Sequence, residues 1–259
     1  MFFKRKLLLE KITDQLTKQK KMIVLYVIWC TVCIVWREYM TLQAYNSLYH
    51  LNISMADMLV LMQGNFEMGI LIVPITMLVG LKCKQGSIQT QQIIRYKSKS
   101  CFYRWQIVES MVYALLVAGM LLAIESLTAY TMGLPWINWD NMGSLFFSVT
   151  KQVVDEKFVV IFFGVFVMHL LKFMMNFLVL EIILWKPRYM PFFWILLLLQ
   201  AGIENEGESI KIFHRLFSIQ YSLWMTPKLH VLIFLGGLVC CIGIYVVGKK
   251  VFQKQDIFK

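Results

Sequence analysis

The sequence predicts an all-α integral membrane protein. Six transmembrane helices are expected behind an N-terminal amphipathic helix, with a basic segment between spans two and three and an amphipathic outer segment before span six. Three observations lead there. Hydrophobic residues make up 59% of the 259 residues and charged ones only 16%, with a mean hydropathy of +0.63, whereas an ordinary soluble domain carries about 25% charged residues. Six apolar runs divide the chain into lengths that suit a bilayer, in which a span needs about 20 residues. Lys and Arg are also unevenly spread: with the N-terminus inside, 19 fall in inner segments and 6 on the outer side, while Lys172 lies within a run. Positive charge favours the cytoplasmic side, so the net charge of +11 is mainly a topology signal with attraction to anionic lipid. Nucleic-acid binding is the weaker reading.

One domain over residues 1–259 follows, with an interfacial helix (1–21), a membrane bundle (22–248) and a basic tail (249–259). In the opening stretch MFFKRKLLLEKITDQLTKQKK, Leu8, Leu9, Ile12 and Leu16 form one helical stripe opposite Lys6, Glu10, Lys11, Asp14 and Lys18. That pattern suits a helix lying on the inner membrane surface; the competing reading is a disordered basic tail. The predicted spans are Met22 to Tyr39, Met58 to Leu81, Trp105 to Thr131, Phe158 to Leu184, Pro191 to Ile203 and Leu229 to Gly248. The fifth is short, because thirteen residues cover about 20 Å of a roughly 30 Å core. Between spans three and four, Trp136 and Trp139 read as interfacial anchors and Phe146, Val149 and Val153 as a short helix. Before span six, Phe213, Leu216, Phe217, Tyr221 and Trp224 align on one helical face. The first run lacks a small-residue cleavage site and is expected to be retained.

Enzymatic motifs are missing where they would be informative. No GxxxxGK[ST] phosphate loop occurs, and the nearest string, Gly80 to Ser87 (GLKCKQGS), lacks its spacing. Neither an HExxH pair nor a GxSxG elbow is present, so no catalytic or metal-ligating set is expected. Cys30-Thr-Val-Cys33 has CxxC spacing but stands in an apolar helix without a second ligand pair, which favours two small packing residues. Asn52-Ile-Ser54 matches a glycosylation sequon, a pattern common by chance. The ionisable residues that stand out within the runs are Glu67, Glu109, Glu125, His169 and Lys172. Such groups are expensive in hydrocarbon and turn towards partners or water. Glu109 and Lys172 are expected at similar depth, as a pair, and Glu67 near His169. Pairing that fixes the bundle is the plainer account, and a polar substrate path the alternative.

The segment Gln91 to Trp105, QQIIRYKSKSCFYRW, mixes Arg95, Lys97, Lys99 and Arg104 with Ile93, Ile94, Phe102 and Tyr103. One continuous helix would scatter the cations over opposite faces, so a break near Ser98 to Ser100 is expected. Apolar and aromatic residues beside cations are characteristic of interface anchors, and the segment reads as a docking site; an ordinary basic inner loop leaves those apolar residues without a role.

In these parts the chain resembles the permease subunits of type-2 ATP-binding-cassette exporters, the small six-span kind of Gram-positive bacteria. The resemblance runs over the whole length: the entry MFFKRKLLLEKI, the loop IIRYKSKSCFYRWQIVES, the amphipathic outer segment and the basic end GKKVFQKQDIFK. It implies a multi-pass protein of the bacterial plasma membrane with both termini cytoplasmic. A second permease chain, the same or different, would pair with it, and two cytosolic ATPase subunits would grip the inner loop. ATP and Mg would be bound by those subunits, leaving this chain with no cofactor and no catalytic residue. Ile94, Arg95, Lys97, Lys99, Phe102 and Tyr103 would be the coupling residues, and Phe2 to Leu16 the connecting helix. The implied cargo is an antimicrobial peptide, drug or lipid-like molecule, in bacteriocin efflux or self-immunity. The rival readings are a CAAX-type intramembrane protease, for which the paired Glu and His motifs are absent, and a non-ABC transporter or membrane partner.

Overall fold

A computed structural model describes residues 12–63, 68–85, 99–185, 187–206, 221–224 and 227–254. Among them regular structure is helical: besides residues 12–18, it forms α1 (Lys20–Tyr49), α2 (Met55–Gln63), α3 (Val73–Gln85), α4 (Lys99–Thr131), α5 (Leu145–Thr150), α6 (Phe158–Leu184), α7 (Met190–Glu206), α8 (Tyr221–Trp224) and α9 (Pro227–Gln253). A π-turn, Met68–Ile72, leads into α3, and a 3₁₀ turn, Pro187–Tyr189, into α7. Pro227 is the first residue of α9, where the missing N–H has no intrahelical partner to lose; Pro74 and Pro191 follow closely on the π-turn and the 3₁₀ turn.

Four helices, α1, α4, α6 and α9, are long and apolar enough to cross a membrane. The bent pair formed by α2 and the helix from Met68 to Lys84, meeting at 61°, makes a fifth crossing if it is one span. Six separate spans were expected. The fifth expected run becomes α7, whose 17 residues cover about 25 Å and fall short of a full hydrocarbon core. The third run begins earlier than expected, since α4 starts at Lys99 and takes in Phe102 and Tyr103. The helix expected through Val153 is shorter too: Lys151, in a left-handed conformation (φ 58°), ends α5.

Side-chain contacts sort the helix ends. Tyr113 in the first half of α4 donates to Gln15, Lys84 at the end of α3 meets Glu181 near the end of α6, and Tyr103 near the start of α4 stacks on Phe252 at the end of α9. One end of the bundle therefore gathers Lys20, Lys21, Lys82, Lys84, Arg104, Lys249, Lys250 and Lys254; we call it the basic end. Residues 12–18 are helical here, with Ile12 and Gln15 buried and Lys18 paired to Asp14 at 2.7 Å on the exposed side. That is the amphipathic pattern expected of the stripe, whose members Leu8 and Leu9 lie outside the described residues.

The opposite end is closed by backbone. Pro135 and Trp136 carbonyls accept from the N–H groups of Met55 and Ala56, satisfying the first donors of α2. The Ser54 hydroxyl and the Asp57 carboxylate cap the same turn reciprocally, a capping box. Asn52, the sequon residue, bridges to Ser144. Trp136 is exposed, as an anchor should be, but Trp139 is fully buried and anchors nothing to lipid.

Two buried clusters fill the bundle. One joins α2, α4, α6, α8 and α9, and the other joins α1, α3, α4, α6 and α7. α6 belongs to both and packs on α2, α3, α4, α7 and α9, so it is the central helix. Cys30 and Cys33 are packing residues of the second cluster.

Candidate functional site

At the basic end, Phe102 and Tyr103 are enclosed rather than presented to a partner. Phe102 sets its ring edge-on to Trp185 at 5.8 Å and beside Phe252 at 6.2 Å. Tyr103 stacks between Tyr245 (5.7 Å) and Phe252 (5.5 Å), and its hydroxyl donates to the Tyr245 carbonyl at 3.2 Å. Trp185 donates its indole N–H to Gln106 at 3.0 Å. Gly248 makes the joint possible, because a Cβ there would collide with the Tyr103 hydroxyl and come within 2.9 Å of Ile182. The expected exposure of Phe102 and Tyr103 is thus corrected. Both fall within the first turns of a helix whose neighbours α6 and α9 end at the same level, and aromatic burial outweighs exposure at that junction. Arg104 is exposed beside them. Ile94, Arg95 and Lys97 lie outside the described residues; Lys99 is the first residue of α4.

A second array lies one layer deeper. Lys84 makes an ion pair with Glu181 and donates to Ser110 at 2.5 Å, while Ser110 donates to Glu181 at 2.9 Å. All three are at most 2% exposed. The ammonium also lies 5.6 Å from the Tyr113 ring centroid and 5.5 Å from that of Phe177, close enough for cation–π attraction. Gly80 lets α3 approach that ring: a Cβ would stand 2.5 Å from Phe177.

The expected pair between Glu109 and Lys172 is not formed. Ser110 lies level with Glu181, and Lys172 sits about 13 Å further along α6 at about 1.5 Å per residue. Lys172 instead donates to the Gln63 carbonyl at 2.8 Å, and Glu109 is buried near Cys83 and Tyr113. Glu67 lies outside the described residues. His169 has a different partner, Glu125, with Nε2 and Oε2 3.4 Å apart and both residues fully buried. Glu38 of α1 is likewise fully buried, and its charge interacts with that of Glu125.

At the opposite end Asp57 is enclosed by aromatics. Trp139 donates its indole N–H to Asp57 Oδ1 at 2.8 Å and stacks on Phe146 at 4.3 Å, with Tyr221 and Trp224 edge-on at 5.9 and 5.6 Å. Tyr221 and Trp224 do share one buried face, as their spacing predicts; Phe213, Leu216 and Phe217 lie outside the described residues. Burial, and then the Asp57 carboxylate beside it, pushes the Tyr221 phenol well above its ordinary value, so it remains a neutral hydroxyl.

Sequence reasoning missed Glu38, Asp57, Lys84 and Glu181. Each had a usable signal, since an ionisable residue inside or at the edge of an apolar run must find a partner. No family model, curated protein or solved structure matches the chain.

Proposed function

We propose that the chain is the permease subunit of an ATP-driven exporter, forming part of the substrate path and moved by separate cytosolic ATPase subunits that bind ATP and Mg. The observation that carries this reading is the aromatic joint at the basic end. It follows directly on the basic segment around Arg95 and ties the first turns of α4 to the ends of α6 and α9. A push passed on to α4 would reach three membrane helices through Phe102, Tyr103, Trp185 and Phe252. Arg95, Lys97 and Lys99, with Ile94, are the contacts we assign to the ATPase; Phe102 and Tyr103 transmit rather than touch. The absence of a phosphate loop supports a motor on another chain. The reading extends to a bacterial plasma membrane, both termini cytoplasmic, six crossings, a second permease chain, and a peptide or lipid-like cargo.

The test is co-purification of the chain with its ATPase from native membranes. Arg95→Glu should lower recovery of the ATPase at least tenfold, because losing one partner of a desolvated charge contact costs about 2 to 5 kcal/mol. Lys250→Glu makes the same charge change on an exposed residue at the same end of the bundle and should leave recovery unchanged. Equal losses from both would mean that general surface charge, not docking, governs the association.

A further inference from the structure

Glu38, Glu125 and His169 come from three different helices, α1, α4 and α6, and each is 0% exposed. Their polar atoms are under-used. Both oxygens of Glu38, Oε1 of Glu125 and Nδ1 of His169 have no hydrogen-bond partner, and the one close contact in the group is the 3.4 Å approach of His169 to Glu125. Native proteins rarely leave buried polar atoms unused, and each such atom needs an explanation. Structural pairs elsewhere in this bundle look different: Lys84, Ser110 and Glu181 satisfy one another, and Asp57 accepts from Ser54 and Trp139.

Two cations stand near the group. On α1 the adjoining Arg37 is half-buried, on α6 Lys172 is one turn from His169 and is engaged with the Gln63 carbonyl of α2, and from α4 the polar neighbour one turn on is Thr128, whose hydroxyl donates to the Ile124 carbonyl. Carboxylates buried in this way are expensive to keep ionised in hydrocarbon. A metal ion is a poor fit, because among the described residues no trio of His, Cys, Asp or Glu is placed to hold one. A proton needs only a single oxygen or nitrogen.

We propose that Glu38, Glu125 and His169 form a proton-binding site buried in the bundle, which takes up protons from water and releases them to it. Uptake adds a proton to a carboxylate oxygen, converting it from an acceptor to a donor. Glu125 and His169 hold one proton across their contact, and Glu38 holds another. The site is independent of ATPase docking, so its failure would leave the coupling role of Arg95 untouched.

The experiment is infrared difference spectroscopy of the purified full-length chain in lipid nanodiscs, acid sample minus alkaline. The wild-type chain should show protonated-carboxyl C=O bands that shift in deuterium oxide, and Glu38→Gln and Glu125→Gln should each lose one of them. In parallel, a hydrophobic carbodiimide, which reacts with protonated carboxyls in apolar surroundings, is applied to the wild-type chain and its adducts are located by mass spectrometry. Adducts at Glu38 or Glu125 that disappear at alkaline pH are expected; this arm needs no variant to fold. Difference spectra identical in the wild type and both variants, or adducts confined to other carboxylates, would overturn the proposal.

Discussion

Lys84 is 1% exposed and Glu181 2%, yet each carries a charge that hydrocarbon does not solvate. Mutual attraction, the Ser110 hydroxyl and two aromatic faces offset that cost together. Removing one partner strands the other, so Lys84→Met is expected to destabilise the folded protein by about 3 to 5 kcal/mol, read as a fall in the midpoint of thermal unfolding in detergent. Adding Glu181→Gln should return most of that loss, because the stranded charge goes with it. Strictly additive losses would show that the two side chains act independently. Neither residue of this pair was singled out from the sequence. The depth of a residue along one helix is legible from its distance to the run's end, which is how Lys172 was recognised as intramembrane. Which neighbour a helix turns that face towards is not legible, since rotation about the axis is set by packing. Hence Lys172 found a backbone carbonyl of α2 and His169 found Glu125, although all three were marked as ionisable residues within spans.

Single residues act here by holding element ends in register. The short α5 and α8 have little stability of their own, because a helix of one or two turns is marginal without tertiary support. They are held by Trp139, whose indole joins the stacked rings and whose N–H reaches Asp57 at the start of α2. Trp139→Phe keeps most of the ring contact and removes the donor, at an expected cost of about 1 to 3 kcal/mol. The connection between α4 and α6 should then become more sensitive to limited proteolysis, with cleavage between Gly133 and Val154. Unchanged cleavage and unchanged unfolding would show that stacking alone holds this end. The same residue illustrates what periodicity misses. Trp139 reads as an interface anchor because tryptophans collect at membrane surfaces, but a buried carboxylate within reach of its N–H is a stronger claim on it than lipid. Trp136, with no such partner given by the capping of α2, does lie exposed.

On the scale of the whole molecule, the segregation of charge and the path of the chain bear on the same question, how many times it crosses the bilayer. The helical class and most of the long spans are legible because about 20 apolar residues leave few alternatives; a half-length element such as α7 is not, since thirteen apolar residues suit a buried helix as well as a span. Geometry supplies what hydropathy lacks. α6 ends at the basic end, where Trp185 packs on Phe102, and α8 lies at the opposite end, against Trp139. Between those points the chain must travel the height of the bundle, and α7 covers about 25 Å of that distance. We therefore expect a sixth crossing made by α7 together with the residues that follow it. The test uses single cysteines in a background with all native cysteines replaced, labelled by an impermeant maleimide in intact cells. Met142→Cys, at a site 74% exposed at the opposite end, should label from outside, and Lys254→Cys, exposed at the basic end, only after permeabilisation. Ser209→Cys decides whether α7 makes the crossing: labelling from outside places residues after α7 across the membrane, whereas labelling only in permeabilised cells would make α7 a re-entrant helix and leave the crossing to residues after Ser209. Reversal of all three patterns would preserve the crossing count but invert the orientation, putting the basic end outside against the positive-inside rule and removing the cytosolic face on which an ATPase could act.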